Sequence, residues 1–117
     1  MKLREKILSA VDINSEPLHI KEWDVTLLIK GMTAGERLRL TQNAYDATTQ
    51  QVNMASVYPD VVIAVAHDPD TDEPVFNEND RTAILGKSSR AIEEIAAVGL
   101  RLSGIGQSED DAAGKGS

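Results

Sequence analysis

The sequence predicts a small α+β domain that is mainly helical, with a short β-hairpin or strand segment near residues 18–30. Three observations indicate this class. The stretch from Val25 to Lys30 is rich in β-branched and large apolar residues, which is typical of a strand. A helix-start motif follows at Thr33. After Ser88, apolar residues recur at spacings of three and four, which is typical of an amphipathic helix.

The N-terminal third predicts a helix and then strands. Residues 2–11 favour a helix, because Leu3 and Ile7 share one face and charged residues occupy the rest. Pro17 restrains the residue before it to an extended conformation and precedes the strand region. Apolar and polar side chains then alternate imperfectly as far as Trp23. The region therefore forms either two short strands or one strand bent near Trp23, and Gly31 ends it.

The second helix is predicted from its first turn. Thr33 and Glu36 have the spacing of a capping box, in which each residue bonds the backbone amide of the other. Leu38 and Leu40 follow, separated by an arginine, and this local alternation is also compatible with a strand. The capping box and the long polar run that follows favour a helix.

Two segments in the middle of the chain are harder to assign. Residues 43–56 are rich in Gln, Asn, Thr and Ala, and form either a continued helix or a connection. A structureless loop of that length is unusual in a compact domain, so we favour the helix. Residues 59–66 are the most apolar run and read as a buried strand by propensity. A helix that begins at Pro59, with Asp60 in its first turn, is the alternative, and periodicity does not decide between them.

The C-terminal half predicts a polar loop and two further helices. Residues 67–74 have the composition of a surface loop. Asn77 or Asn79 is a candidate cap for a short helix interrupted at Gly86, and Ser88 or Ser89 for the last helix. The apolar face of that last helix comprises Ile92, Ile95, Ala96, Gly99 and Leu102. We predict one domain over residues 1–106 and a flexible acidic, Gly/Ser-containing tail over residues 107–117.

Composition excludes several function classes. The 117 residues carry a net charge of −7, and only 3% of them are aromatic. A phosphate backbone is repelled by such a chain, so we expect no nucleic-acid partner. Without cysteine there is neither a disulfide nor thiol chemistry. No apolar stretch reaches the length of a membrane span, so we expect no membrane association and a location in the cytosol.

No pattern in the sequence predicts catalysis, a cofactor or a metal site. Asp68, Asp70 and Asp72 have the spacing that begins a calcium loop, but the glycine and the final acid of that motif are missing. Residues 86–88 match only the end of a phosphate-binding loop, and helix capping explains them. His19 and His67 are the only histidines and lie far apart in the sequence. We therefore predict that the protein is not an enzyme.

The order of features resembles the tail assembly chaperones of long-tailed bacteriophages, whose genes precede that of the tape measure protein. The resemblance covers roughly residues 18–105 and consists of many weak matches. It includes the stretch from Trp23 to Val25, the helix start at residues 32–37 and the apolar run at 61–66. It also includes the Asp-rich turn, residues 74–76 and the final helix from Ser88 to Leu102.

The resemblance implies a non-enzymatic chaperone that binds the tape measure protein, keeps it soluble and helps to recruit tail tube protein. It also implies self-association into multimers, a location in the host cytoplasm and absence from the mature virion. Such a protein needs apolar surface and net charge. The predicted partner-binding residues are Trp23, Leu38, Leu40, Phe76, Ile92, Ile95 and Leu102. The alternatives are a structural virion protein of the tail or head-completion type, or a small bacterial regulatory interaction domain.

Overall fold

A computed structural model describes residues 2–46, 51–52 and 54–105 of the chain. Within these ranges the protein is an α+β domain in which helices cover a small antiparallel sheet, as the sequence predicts. The predicted tail at residues 107–117 and the domain limit at residue 106 lie outside the described residues, so both stay predictions.

The predicted strand segment is an antiparallel hairpin. β1 (Ser15–Ile20) and β2 (Val25–Lys30) pair over their whole length, so of the two interpretations, two short strands is the correct one. Asp24 in the turn has φ 50°, in the left-handed region that Asp tolerates better than most residues. A two-residue strand, β5 (Ala66–His67), pairs antiparallel with β2 and completes the sheet in the order β1-β2-β5.

Five α-helices lie in the described part of the chain, and their capping residues match the sequence predictions where those were specific. At the start of the second helix, the Glu36 amide donates to Thr33 Oγ1 at 3.1 Å, and the Thr33 amide donates to Glu36 Oε1 at 2.9 Å. Ser88 caps the last helix, and Asn77 caps a 3₁₀ turn (Glu78–Asp80) that leads into a short helix. The helices are α1 (Leu3–Ser9), α2 (Ala34–Ala44), α3 (Met54–Val65), α4 (Arg81–Leu85) and α5 (Ser89–Leu102).

The predicted continuous helix over residues 43–56 is wrong. α2 ends at Ala44, because Tyr45 adopts an extended backbone, and β3 (Tyr45–Asp46) pairs antiparallel with β4 (Gln51–Val52). This segment has few large apolar side chains, so a continued helix would gain little stability from burying them. Residues 47–50 and 53 lie outside the described residues.

The apolar run at residues 59–66 is helical as far as Val65, and only Ala66 belongs to a strand. Of the two interpretations, the helix is the correct one and the buried strand is wrong, but the helix begins at Met54, five residues before Pro59. Proline has no amide hydrogen, so one bond of the helix ladder is missing at this position. Burial of the following valines offsets that loss, since Val61, Val62 and Val65 are fully inaccessible.

The core forms where α3 packs between α2 and α5, with the sheet against one side. Gly99 of α5 makes the closest approach, since a Cβ built there would lie 2.8 Å from both γ-carbons of Val65. Gly31 plays a similar part at the end of β2, where a Cβ would lie 2.8 Å from the Leu102 carbonyl oxygen. The buried apolar residues are almost all aliphatic: Ile20, Leu27, Ile29, Met32, Ala44, Val61, Val62, Val65, Ala66, Ile84, Ala91, Ile92, Ile95 and Ala96.

Candidate partner-binding surface

The seven residues predicted to bind a partner divide into three groups by their exposure. Leu38 is 59% exposed on the outer side of α2. Ile92 and Ile95 belong to the core, and Ile95 is completely inaccessible. Periodicity identified the apolar face of α5 correctly, but α3 and the sheet cover that face in the folded chain. The remaining four are partly buried and pack against the core from its edge: Trp23, Leu40, Phe76 and Leu102.

The larger concave surface on the helical side is a groove of about 360 Å³, which we call the helical groove. Its lining is almost wholly apolar, with Arg37 and Thr41 as the polar members. Leu38 is not among the lining residues, although it follows the lining residue Arg37 on α2. The apolar lining comes from α2, α3 and the C-terminal end of α5, and consists of Leu40, Ala44, Tyr45, Val57, Leu100 and Ile105.

Most residues of the helical groove were not predicted from the sequence. Tyr45 follows a helix that was expected to continue, and Leu100 and Ile105 lie outside the main apolar stripe of α5. Only Leu40 was among the predicted binding residues. The missing signal is tertiary, because these side chains come together only when α2 and α5 both pack against α3.

A second groove, the sheet groove, runs beside the hairpin turn and has a volume of about 390 Å³. Its apolar lining includes Trp23, Val25 and Phe76, while Asp68 and Asp70 supply carboxylates. None of the described residues that line it is basic. Trp23 and Phe76, distant in the sequence, also line a smaller, mostly apolar pocket together with Ile92. The structure therefore brings together two of the predicted binding residues, at an acidic groove.

Helix α1 contributes a further apolar surface that the sequence-based prediction of binding residues omitted. The predicted helix over residues 2–11 is confirmed in a shorter form, but none of its residues is buried. Leu3, Ile7 and Leu8 are 72%, 59% and 67% exposed. An amphipathic pattern reports that one face is apolar, and it does not report whether the same chain covers that face.

Ion pairs fix the hairpin turn next to Trp23. Arg90, in the first turn of α5, donates to both carboxylate oxygens of Glu22, each at 2.5 Å. This hydrogen bonding lowers the pKa of Glu22 from 4.5 to about 2 and raises the pKa of Arg90. In the Asp-rich loop, a hydrogen bond from Lys30 lowers the pKa of Asp72. The turn is thus held to α5 by a charged, two-point contact.

The histidines do not form an enclosed catalytic site. His19 Nδ1 lies 3.2 Å from Thr26 Oγ1, and His19 Nε2 lies 3.6 Å from Asp24 Oδ1. Although the order Thr–His–Asp matches that of a triad, the Asp24 side chain is 94% exposed, whereas a triad requires a buried acid to orient its base. His67 instead bonds the Val65 carbonyl oxygen through Nδ1.

The Asp-rich loop is organised by its own backbone. The Asp70 amide donates to Asp68 Oδ1, and the Asp72 amide donates to the Asp68 carbonyl oxygen. Among the residues that the structure describes, no group of three or more His, Asp or Glu side chains is placed to hold a metal ion. Over the same residues, no helix has the length and apolar character needed to cross a membrane.

Comparison with solved structures identifies a protein of similar fold. No family model and no curated protein sequence matches this chain. The solved structure of the bacteriophage HK97 tail assembly chaperone superposes with a TM-score of 0.61 at 17% sequence identity. The match covers 85% of this chain and 91% of that one. The resemblance predicted from the sequence is therefore confirmed at the level of the fold.

Proposed function

We propose that this protein is a phage tail assembly chaperone that binds the tape measure protein, keeps it soluble and helps to recruit tail tube protein. It acts without catalysis, in the host cytoplasm, and associates with further copies of itself. It leaves before the virion matures. The observation that carries the proposal is the fold shared with the HK97 tail assembly chaperone over 85% of the chain.

The helical groove supports the proposal because its shape and chemistry suit a helical partner. Amphipathic helices bind by laying an apolar face into an apolar groove between helices, with anchors spaced at three and four residues. The groove offers Leu40, Ala44 and Leu100 as such a floor, and Tyr45 as a large aromatic contact at its edge. A tape measure protein, which the sequence resemblance implies as the partner, is long, helical and apolar.

Charge supports the chaperone role in a second way. An apolar helix exposed before assembly aggregates, and a bound protein of net charge −7 adds repulsion between complexes. Leu38 is 59% exposed on α2, next to the lining residue Arg37 in the sequence, and is available to a partner that extends beyond the groove.

The test is co-expression of the full chain with a tape measure fragment from the same genome, followed by measurement of the soluble fraction and by pull-down. We expect the chaperone to raise the soluble fraction and to co-purify with the fragment. Tyr45→Asp should weaken binding by about tenfold or more, because it removes an apolar contact that lines the groove. Leu38→Asp tests whether the contact extends to the neighbouring exposed face of α2.

Leu85→Asp is the matched control, since Leu85 is 52% exposed on α4 and does not line the helical groove. Circular dichroism of each variant confirms that the fold is retained. A fragment that precipitates equally with and without the protein contradicts the proposal. Equal losses for Tyr45→Asp and Leu85→Asp contradict the assignment to the helical groove. Mass spectrometry of purified particles checks the expected absence from the virion.

A further inference from the structure

We propose that α1 folds back onto the helical groove of its own chain and covers that groove until a partner helix displaces it. In the structure, α1 and the residues that follow it as far as Asn14 are exposed. A helix of seven residues is not stable alone in water, so α1 requires a surface that covers its apolar face. The inference rests on the proposed function only for the identity of the displacing partner.

The segment that follows α1 is anchored beside the helical groove. The Gly31 amide donates to the Asn14 carbonyl oxygen at 2.9 Å, which fixes Asn14 at the end of the hairpin. A Cβ built at Gly31 would lie 2.8 Å from the carbonyl oxygen of Leu102, the last residue of α5. Leu102 stands between the groove residues Leu100 and Ile105 in the sequence. α1 is therefore tethered next to the end of α5 that lines the helical groove.

The tether is long enough to let α1 reach this groove. α1 ends at Ser9, and residues 10–14 belong to no helix or strand. Fully extended, these five residues span about 17 Å. The sheet groove lies beside Val25, at the turn end of the hairpin. Ser15, next to the anchor, pairs with Lys30 at the opposite end. Of the two grooves, the helical groove is therefore the one within reach of α1.

The length of α1 matches that of the groove. The part of the lining that α2 and its C-cap supply runs from Arg37 to Tyr45, which is about 12 Å at the rise of a helix. α1 has seven residues and is about 10 Å long. Because the tether enters near the start of α2, the docked α1 is antiparallel to α2. This direction places Ile7 near Leu40, and Leu3 near Tyr45.

Apolar contact drives the docking. Leu3, Ile7 and Leu8 form the apolar side of α1, and the lining of the helical groove is almost wholly apolar. Docking removes both surfaces from water, which is the main driving force for such contacts. Arg37, the charged residue of the lining, meets a helix that is itself mainly basic, so added salt should not weaken the contact.

The test is disulfide cross-linking of the full chain at low protein concentration, without any tape measure protein. The chain has no cysteine, so two introduced cysteines are its only thiols. Leu3→Cys/Tyr45→Cys should form a disulfide within one chain on mild oxidation, because docking brings these positions together. Leu3→Cys/Val25→Cys is the matched control and should stay reduced, since Val25 is 41% exposed in the sheet groove. Non-reducing electrophoresis separates linked monomers from linked dimers.

A third substitution separates docking from chance contact on a flexible tether. Ile7→Ser, added to the Leu3→Cys/Tyr45→Cys chain, keeps the tether but removes an apolar contact, and should slow cross-linking by about fivefold or more. Cross-linking no faster than that of the Val25 control, an unchanged rate with Ile7→Ser, or links only between chains would each overturn the proposal.

Docking also sets the affinity for a partner helix. The groove is free only in the undocked fraction of molecules, so the apparent Kd equals the intrinsic Kd divided by that fraction. Ile7→Ser should therefore bind the tape measure fragment roughly two- to tenfold more tightly than the parent protein, whereas Lys6→Ser should not. Equal affinities for Ile7→Ser and the parent overturn this competition. If no fragment binds, the proposed function fails, and cross-linking alone decides the docking.

Discussion

Substitution of Gly99 by alanine tests the packing of α5 on α3 directly. In an isolated helix this change stabilises by about 1 kcal/mol, because glycine is the poorer helix former. Here the new Cβ would lie 2.8 Å from Val65 Cγ1 and Cγ2 and 3.0 Å from Val65 Cβ. Overpacking a core costs about 1–3 kcal/mol. The net expectation is destabilisation by up to about 2 kcal/mol, or a thermal midpoint lower by several degrees.

The assay is urea denaturation followed by circular dichroism, with the midpoint and slope compared between variants. Gly35→Ala is the matched control, since a Cβ built at Gly35 would lie in ordinary contact with Thr33 Oγ1, at 4.0 Å. This change should be neutral or stabilising. In a Val65→Ala background the cost of Gly99→Ala should fall, because both γ-carbons are gone. A Gly99→Ala protein as stabilised as Gly35→Ala would refute the close approach of the two helices.

Two further predictions concern Glu22 and Ile95. The pKa of folded Glu22 is lowered to about 2, so its contribution to stability is present above its unfolded value of 4.5 and is lost as the pH falls between these values. As the pH falls from 4.5 to about 2, the free energy of unfolding of Glu22→Gln should therefore decrease less than that of the parent protein. Acid titrations of unfolding measure this, and parallel profiles for the two proteins would argue against the Arg90 contact. Ile95→Asp places a charge at a fully inaccessible position and should destabilise by roughly 3–5 kcal/mol or unfold the chain, whereas Ala97→Asp, at an exposed position of the same helix, should fold normally. Thermal melts distinguish the two, and a well-folded Ile95→Asp protein would mean that this face of α5 is not in the core.

Elements marked by local chemistry were predictable from the sequence. The side chains of Thr33 and Glu36 each accept a hydrogen bond from the other residue's backbone amide within one turn. Their spacing in the sequence alone therefore predicted the start of α2. The hairpin was predictable for a similar reason, because its β-branched residues lie next to one another in the chain. The start of α3 was not predictable from the sequence. It depends on burial of the α3 valines offsetting the backbone hydrogen bond that Pro59 cannot donate.

The binding surface was less predictable than the fold. Apolar spacing placed Ile92 and Ile95 on one face of α5 and Leu3 and Ile7 on one face of α1. The structure buries the first face and exposes the second. The two patterns look alike in the sequence, and what distinguishes them is whether another element packs there. That information is carried by contacts between distant parts of the chain.

The hairpin and the last helix are joined at both ends of that helix. Arg90 binds Glu22 at its start, Arg101 binds Glu16 near its end, and the Met32 amide donates to Ser103 Oγ at 2.8 Å. These partners are 68 to 85 residues apart in the sequence. During synthesis the hairpin emerges first but cannot complete its contacts until α5 has left the ribosome. The apolar face of the N-terminal half therefore stays exposed to solvent during synthesis, and the core is complete only once α5 packs against it.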